Sequence, residues 1–199
     1  MTISMLVLSI TASRLPLAAA FAGAALAGPD VLLLPLAVLI EMTDMADGFV
    51  ARRTGVASNV GTVYDGMADL IARMTEFICL AAIGALGFIP VLVFLWREGI
   101  VITAQRVATE RGEQARYGRI GGKLKGVTQG ACIVWLAAVE SVPSIADGVG
   151  RWPGDVLVWV ACTVTVLSGI DYLFAHRAAL GASIAPRGHA RQLTERPHV

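Results

Sequence analysis

Apolar runs of about twenty residues recur along nearly the whole chain, separated by short polar breaks. That is the length an α-helix needs to cross the hydrocarbon core of a bilayer. Six runs can be placed, at 6–27, 31–53, 61–86, 89–111, 122–143 and 154–177. A backbone in lipid must satisfy its own N–H and C=O groups, and helices do so within one segment. The expected fold is therefore all-α, a polytopic membrane protein with six transmembrane helices. Of 199 residues, 56% are hydrophobic and 16% charged, against roughly 25% charged in an average soluble domain. The formal net charge of +1 gives no basis for a nucleic-acid partner. Arg14 and Pro16 interrupt the first run and further runs follow, so that run reads as a retained helix rather than a leader.

Lys and Arg sit on one side of this layout. Arg52 and Arg53 end the second run, Arg111, Arg116, Arg119, Lys123 and Lys125 follow the fourth, and Arg177, Arg187, Arg191 and Arg196 follow the sixth. The opposite connections, Gly28–Asp30, Gly87–Pro90 and Val142–Gly154, hold only Arg151. The positive-inside rule then predicts that both termini are cytoplasmic. Residues 1–178 form one transmembrane domain in this reading, and the polar, aperiodic residues 179–199 form a flexible cytoplasmic tail. Cys79, Cys132 and Cys162 are far apart in apolar runs and read as packing residues, not as a disulfide or thiolate site.

Against this background the stretch 44–69, DMADGFVARRTGVASNVGTVYDGMAD, is anomalous. It puts Asp44 and Asp47 (i,i+3) near the inner end of the second helix, and Asp65 and Asp69 (i,i+4) near the inner start of the third. Each pair shares a helical face, and two antiparallel helices with a short loop bring the faces together. Four carboxylates in one poorly hydrated volume require raised pKa values or a compensating cation. Hard oxygen ligands suit Mg²⁺, Mn²⁺ or Ca²⁺, and four carboxylates suffice to bridge two such ions, a recurring arrangement in phosphoryl displacement. Gly48 and Gly61 allow a ligand close to the backbone. Arg52 offers a cation suited to a diphosphate, and the small Ala51 lies on the Asp44–Asp47 stripe.

The pattern D-x2-D-G-x2-A-R-x8-G-x3-D-x3-D resembles the signature of the CDP-alcohol phosphatidyltransferases, with Asp44, Asp47, Gly48, Ala51, Arg52, Gly61, Asp65 and Asp69 at its eight positions. The resemblance implies transfer of a phosphatidyl group from CDP-diacylglycerol to an alcohol, with release of CMP. It further implies that Asp44, Asp47, Asp65 and Asp69 hold two divalent ions, Mg²⁺ or Mn²⁺, and that Asp69 is also the general base. Gly48, Ala51, Arg52 and Gly61 would then serve the CDP moiety. A homodimer in a bacterial inner membrane, with the active site facing the cytoplasm, is implied as well.

The segments REGIVITAQRVATERG (97–112) and GGKLKGVTQG (121–130) are similar to those of phosphatidylglycerophosphate synthases, whose acceptor is glycerol 3-phosphate. Arg106, Lys123 and Lys125 are the expected acceptor-binding cations; positive-inside anchoring is the other reading of the two lysines. The chain reads Asp65-Gly66-Met67-Ala68-Asp69-Leu70 where many members of that branch read D-P-x-A-D-K, and Gly126 replaces their usual threonine. Phosphatidylinositol-phosphate synthase, or another CDP-alcohol phosphotransferase with a different acceptor, is the alternative within the family, and an ion-coupled transporter the alternative outside it. Arg97 is nine residues from Arg106, hence on nearly the opposite face, and is expected to pair with a carboxylate such as Glu76, with Glu98 pointing elsewhere. Arg73 lies i+4 from Asp69, as a positioning partner or a plain intrahelical pair. Glu41 has no partner assignable from sequence. Thr11 and Arg14 match a short T-x2-R of the family, with Arg14 either closing a phosphate pocket or snorkelling.

Overall fold

The computed structural model describes residues 3–54, 59–110, 120–177 and 180–181, with the side chains of 3–10, 47–54, 59–63, 120 and 146 left aside. Six long helices stand close to the six apolar runs: α1 (Ile3–Ala27), α2 (Leu33–Thr54), α3 (Asn59–Ala82), α4 (Phe88–Glu110), α5 (Ile120–Ser141) and α7 (Trp152–Ala175). A short helix, α6 (Pro143–Val149), lies where the sequence suggested only a proline-bearing connection. Proline is well tolerated in a first helical turn, so Pro143 starts α6 rather than preventing it. Gly28 and Gly84 take positive φ, 70° and 79°, and so end α1 and α3 in a conformation that a side chain disfavours.

By length and composition, two of the described helices, α4 and α7, are long and apolar enough to cross a membrane, or three if α5 and α6, bent by 104°, count as one span. In α1 the apolar part is Thr11–Ala27. In α2 and α3 the acidic and basic residues that form the site reduce the apolar character. Large apolar side chains face outward on many helices, among them Phe88, Trp96, Trp159 and Phe174. Such a surface suits lipid, not water.

The core explains how charged helices come together. Helix α1 packs on α2 and α3, α5 on α2 and α7, and α4 on α3 and α7. The face α1 buries carries Ala18, Phe21, Ala24 and Ala25, and small residues there let backbones approach closely. Phe77 of α3 meets Phe94 of α4 with ring centroids 4.4 Å apart. Gln129 of α5 donates to Thr165 Oγ1 of α7 at 3.0 Å, a buried interhelical bond.

At the end of the bundle opposite the aspartates, Ser141 joins α5 to the start of α2. Its Oγ accepts from the Leu34 N–H at 2.9 Å and donates to the Asp30 carbonyl at 2.8 Å. The Leu34 N–H is a first-turn donor without an intrahelical acceptor. Ser141→Ala strands the Leu34 N–H and leaves the Asp30 carbonyl with the Leu33 N–H alone, and we expect a loss of about 1–3 kcal/mol. The check is the thermal midpoint of purified protein in detergent; a midpoint equal to wild type would refute the role.

Candidate functional site

Helices α1, α2 and α3 each bring charge to the same volume. Arg14 on α1 is fully buried. Its Nη1 lies 3.3 Å from Asp44 Oδ1 on α2 and 3.6 Å from Asp65 Oδ1 on α3. A buried guanidinium between two carboxylates is not snorkelling, so that reading of Arg14 is set aside. Arg73, also buried, faces the same group from one or two turns along α3. Its Nη2 lies 3.1 Å from Asp69 Oδ1 and 3.8 Å from Asp44 Oδ2, and its Nη1 lies 2.9 Å from Glu41 Oε1. The expected Asp69–Arg73 pair therefore exists, and it belongs to a network that crosses between helices.

Asp44, Asp65 and Asp69 thus share two guanidinium groups and one small volume. Asp44, in contact with both arginines, is the link. Asp47, Gly48, Ala51 and Arg52 lie in the last turns of α2 and Gly61 in the first turn of α3, beyond the described side chains. Among the described residues, no three of His, Cys, Asp and Glu are placed to ligate one metal ion. The donor chemistry nonetheless fits a hard divalent cation: carboxylate oxygens from two helices converge, and their charge is met by cations brought into the cluster.

A second cluster lies on α4, α5 and α7. Glu98 Oε1 accepts from Lys125 Nζ at 2.9 Å and from Arg97 Nη1 at 3.0 Å, and Arg97 Nη2 donates to Ser168 Oγ at 2.8 Å. The expectation that Arg97 pairs with Glu76 is corrected here. Neighbours on a helix do not face each other, but the long arginine stem turns back to Glu98. Its path runs beside Gly169, where a Cβ would stand only 3.2 Å from Arg97 Cγ. Glu98 consequently points into the bundle rather than away from it. Glu76 is fully buried, and neither carboxylate oxygen hydrogen-bonds to a described residue.

The three cations expected at the acceptor separate. Lys125 is buried in the Glu98 cluster, within electrostatic reach of Asp44 and Asp69. Arg106 and Lys123 are exposed and form no ion pair with a described residue. Arg111, Arg116 and Arg119 lie outside the described residues. Sequence reasoning missed Glu41 as the partner of Arg73, Ser168 as an acceptor for Arg97, and the glycines that make room for both networks. Glu41 carries a signal, since it precedes Asp44 by three residues on the same face.

The fold and this site define a helical membrane protein whose first three helices bring part-exposed carboxylates onto two buried guanidinium groups. The sequence profile of the CDP-alcohol phosphatidyltransferases matches residues 5–167, and the chain belongs to that family. It is 38% identical over 93 residues to the CDP-diacylglycerol–glycerol-3-phosphate 3-phosphatidyltransferase of Treponema pallidum, covering 45% of this chain and 41% of that one. Over 149 residues it is 28% identical to the protein of the same name from Bacillus subtilis, 74% of this chain and 75% of that one. It is 31% identical over 136 residues to a probable phosphatidylglycerophosphate synthase of Mycobacterium tuberculosis, 66% of this chain and 59% of that one. The alignment thus spans less than half of the Treponema protein and about three quarters of the Bacillus one.

Proposed function

We propose that this protein transfers the phosphatidyl group of CDP-diacylglycerol to glycerol 3-phosphate, releasing CMP and forming phosphatidylglycerophosphate. The observation that carries the reading is the convergence of Asp44, Asp65 and Asp69 on Arg14 and Arg73, inside the segment that matches the family. In this reading all six long helices span the inner membrane, both termini are cytoplasmic, and the site opens to the cytoplasm. The protein works as a homodimer.

Asp44, Asp47, Asp65 and Asp69 would hold two Mg²⁺ or Mn²⁺ ions, which would supply charge neutralisation for the diphosphate and the departing CMP. Gly48, Ala51, Arg52 and Gly61 receive the CDP moiety. Asp69 takes the proton from the acceptor hydroxyl as its oxygen attacks the β-phosphorus and the bond to CMP breaks. The acceptor phosphate is met by Lys125, with Arg106 and Lys123 on its approach. Two cations, Arg97 and Lys125, share one oxygen of Glu98. The positive charge left over suits an acceptor with its own phosphate.

The test is CMP release by detergent-purified protein given CDP-diacylglycerol, Mn²⁺ and one acceptor at a time. Release with glycerol 3-phosphate is expected. Release only with inositol phosphate would transfer the assignment to that alternative, and no release with any acceptor would reject phosphatidyl transfer and reopen ion-coupled transport. Lys125→Met should raise the acceptor KM about tenfold or more, the size of a lost charge-assisted hydrogen bond. The KM for CDP-diacylglycerol should stay near wild type; an equal rise in both would remove Lys125 from the acceptor.

A further inference from the structure

Glu41 and Gly130 lie outside the eight-position signature, yet both meet at the carboxylate centre. Glu41 sits one turn before Asp44 on α2 and reaches across to Arg73 on α3. Its carboxylate lies directly against the backbone of α5 at Gly130. A Cβ at residue 130 would collide with Glu41 Oε2 and Cδ, so a side chain there displaces the acid. The glycine is a cradle for Glu41, and Glu41 is an anchor for Arg73.

The guanidinium is a rigid planar fork, so fixing one nitrogen fixes the direction of the others. Glu41 holds Nη1, while Nε and Nη2 both fall on Asp69 Oδ1, at 3.4 and 3.1 Å. Both Arg73 hydrogen bonds to Asp69 thus fall on the one oxygen, Oδ1. If Glu41 lost its charge or moved, Nη1 would lose its counterion. The guanidinium would then turn more fully onto Asp69 and Asp44, its other acidic partners, and compete there with any bound cation.

We propose that Gly130 and Glu41 form a positioning device for Asp69: the glycine seats the acid, and the acid holds Arg73 so that Asp69 keeps one oxygen for metal or acceptor. Neither is a catalytic residue. The inference rests on the metal-holding role proposed above for the aspartates, but not on the identity of the acceptor.

The experiment measures Mn²⁺ binding to detergent-purified, full-length protein by electron paramagnetic resonance, beside the Mn²⁺ dependence of CMP release. Glu41→Gln and Gly130→Ala should each weaken Mn²⁺ binding about tenfold or more, the usual effect of losing a residue that orients a metal ligand. The KM for CDP-diacylglycerol at saturating Mn²⁺ should stay within about twofold, since the device acts through the metal site and not on the lipid. Gly130→Ala should add nothing to Glu41→Ala, because its effect runs through the acid it displaces. Wild-type Mn²⁺ affinity in Glu41→Gln, or additive losses in the double variant, would overturn the proposal. If Gly130→Ala does not fold, Glu41→Gln, which adds no volume, decides alone. Mn²⁺ binding by wild type without CMP release would reject phosphatidyl transfer and leave the comparison intact. No Mn²⁺ binding at all would overturn this inference itself.

Discussion

Asp69→Asn is expected to reduce CMP release from CDP-diacylglycerol and glycerol 3-phosphate by about 10²–10⁴-fold, the range associated with loss of a positioned proton acceptor. The change is nearly isosteric, and an amide oxygen can still accept from Arg73 where Asp69 Oδ1 does now. What disappears is the charge, and with it the ability to take a proton and to hold a hard cation tightly. Glu41 and Asp44 still accompany the buried Arg73, so the guanidinium is not left without counterions. The variant should therefore elute as folded protein from size exclusion in detergent. The two proposed roles of Asp69 separate on titration with Mn²⁺. Loss of metal affinity alone is recovered at high Mn²⁺, whereas loss of the base is not. Near-normal turnover in the folded variant would remove Asp69 from the chemistry.

The helices were legible because apolar runs of about twenty residues, broken by glycine, proline and polar residues, mark where long helices begin and end; of these, α4 and α7, or three spans with the bent α5–α6 pair, are long and apolar enough to cross a membrane. The long helices follow the expected positions within a few residues, with α3 ending earlier, at Ala82 rather than 86. The break there depends on Gly84, which takes positive φ, while the apolar pattern continues past it. The meeting of Asp44, Asp65 and Asp69 was legible through helical spacing, which sets a face without knowledge of the fold, while Asp47 lies outside the described side chains. Partners on other helices were not. Arg14 meets Asp44 and Asp65 because α1 lies against both α2 and α3, an arrangement that no spacing within α1 encodes. Arg97 was misassigned because spacing constrains where Cβ points, not where a four-atom stem ends. Its course depends on Gly169 of α7 leaving room beside it. Gly130 is the sharpest case. In sequence it is one small residue in an apolar helix; its meaning comes only from the acid that lies on it.

Arg14→Met should make folding stability depend on metal more strongly than in wild type. Arg14 is fully buried and supplies the cation common to Asp44 and Asp65. Methionine keeps most of the apolar stem but no charge, so the cation that bridges Asp44 and Asp65 is lost, while Arg73 stays beside Asp44. Removing one partner of a buried ion pair costs about 3–5 kcal/mol. Water around Asp44 and Asp65, whose side chains are 38% and 47% exposed, lowers the expected cost toward about 1–2 kcal/mol. At about 2–4 °C per kcal/mol for a chain of this size, the midpoint in EDTA should fall by several degrees. A divalent ion bound among the same carboxylates replaces the missing charge. At a hundred times its Kd it contributes about 2.7 kcal/mol, enough to offset the loss. In wild type the same ion must compete with Arg14 for Asp44 and Asp65, so its stabilising effect is smaller. Thermal melts of both proteins in detergent, with EDTA and with Mn²⁺, check this. An equal Mn²⁺-dependent rise in the two would mean that Arg14 and the metal do not act on the same carboxylates.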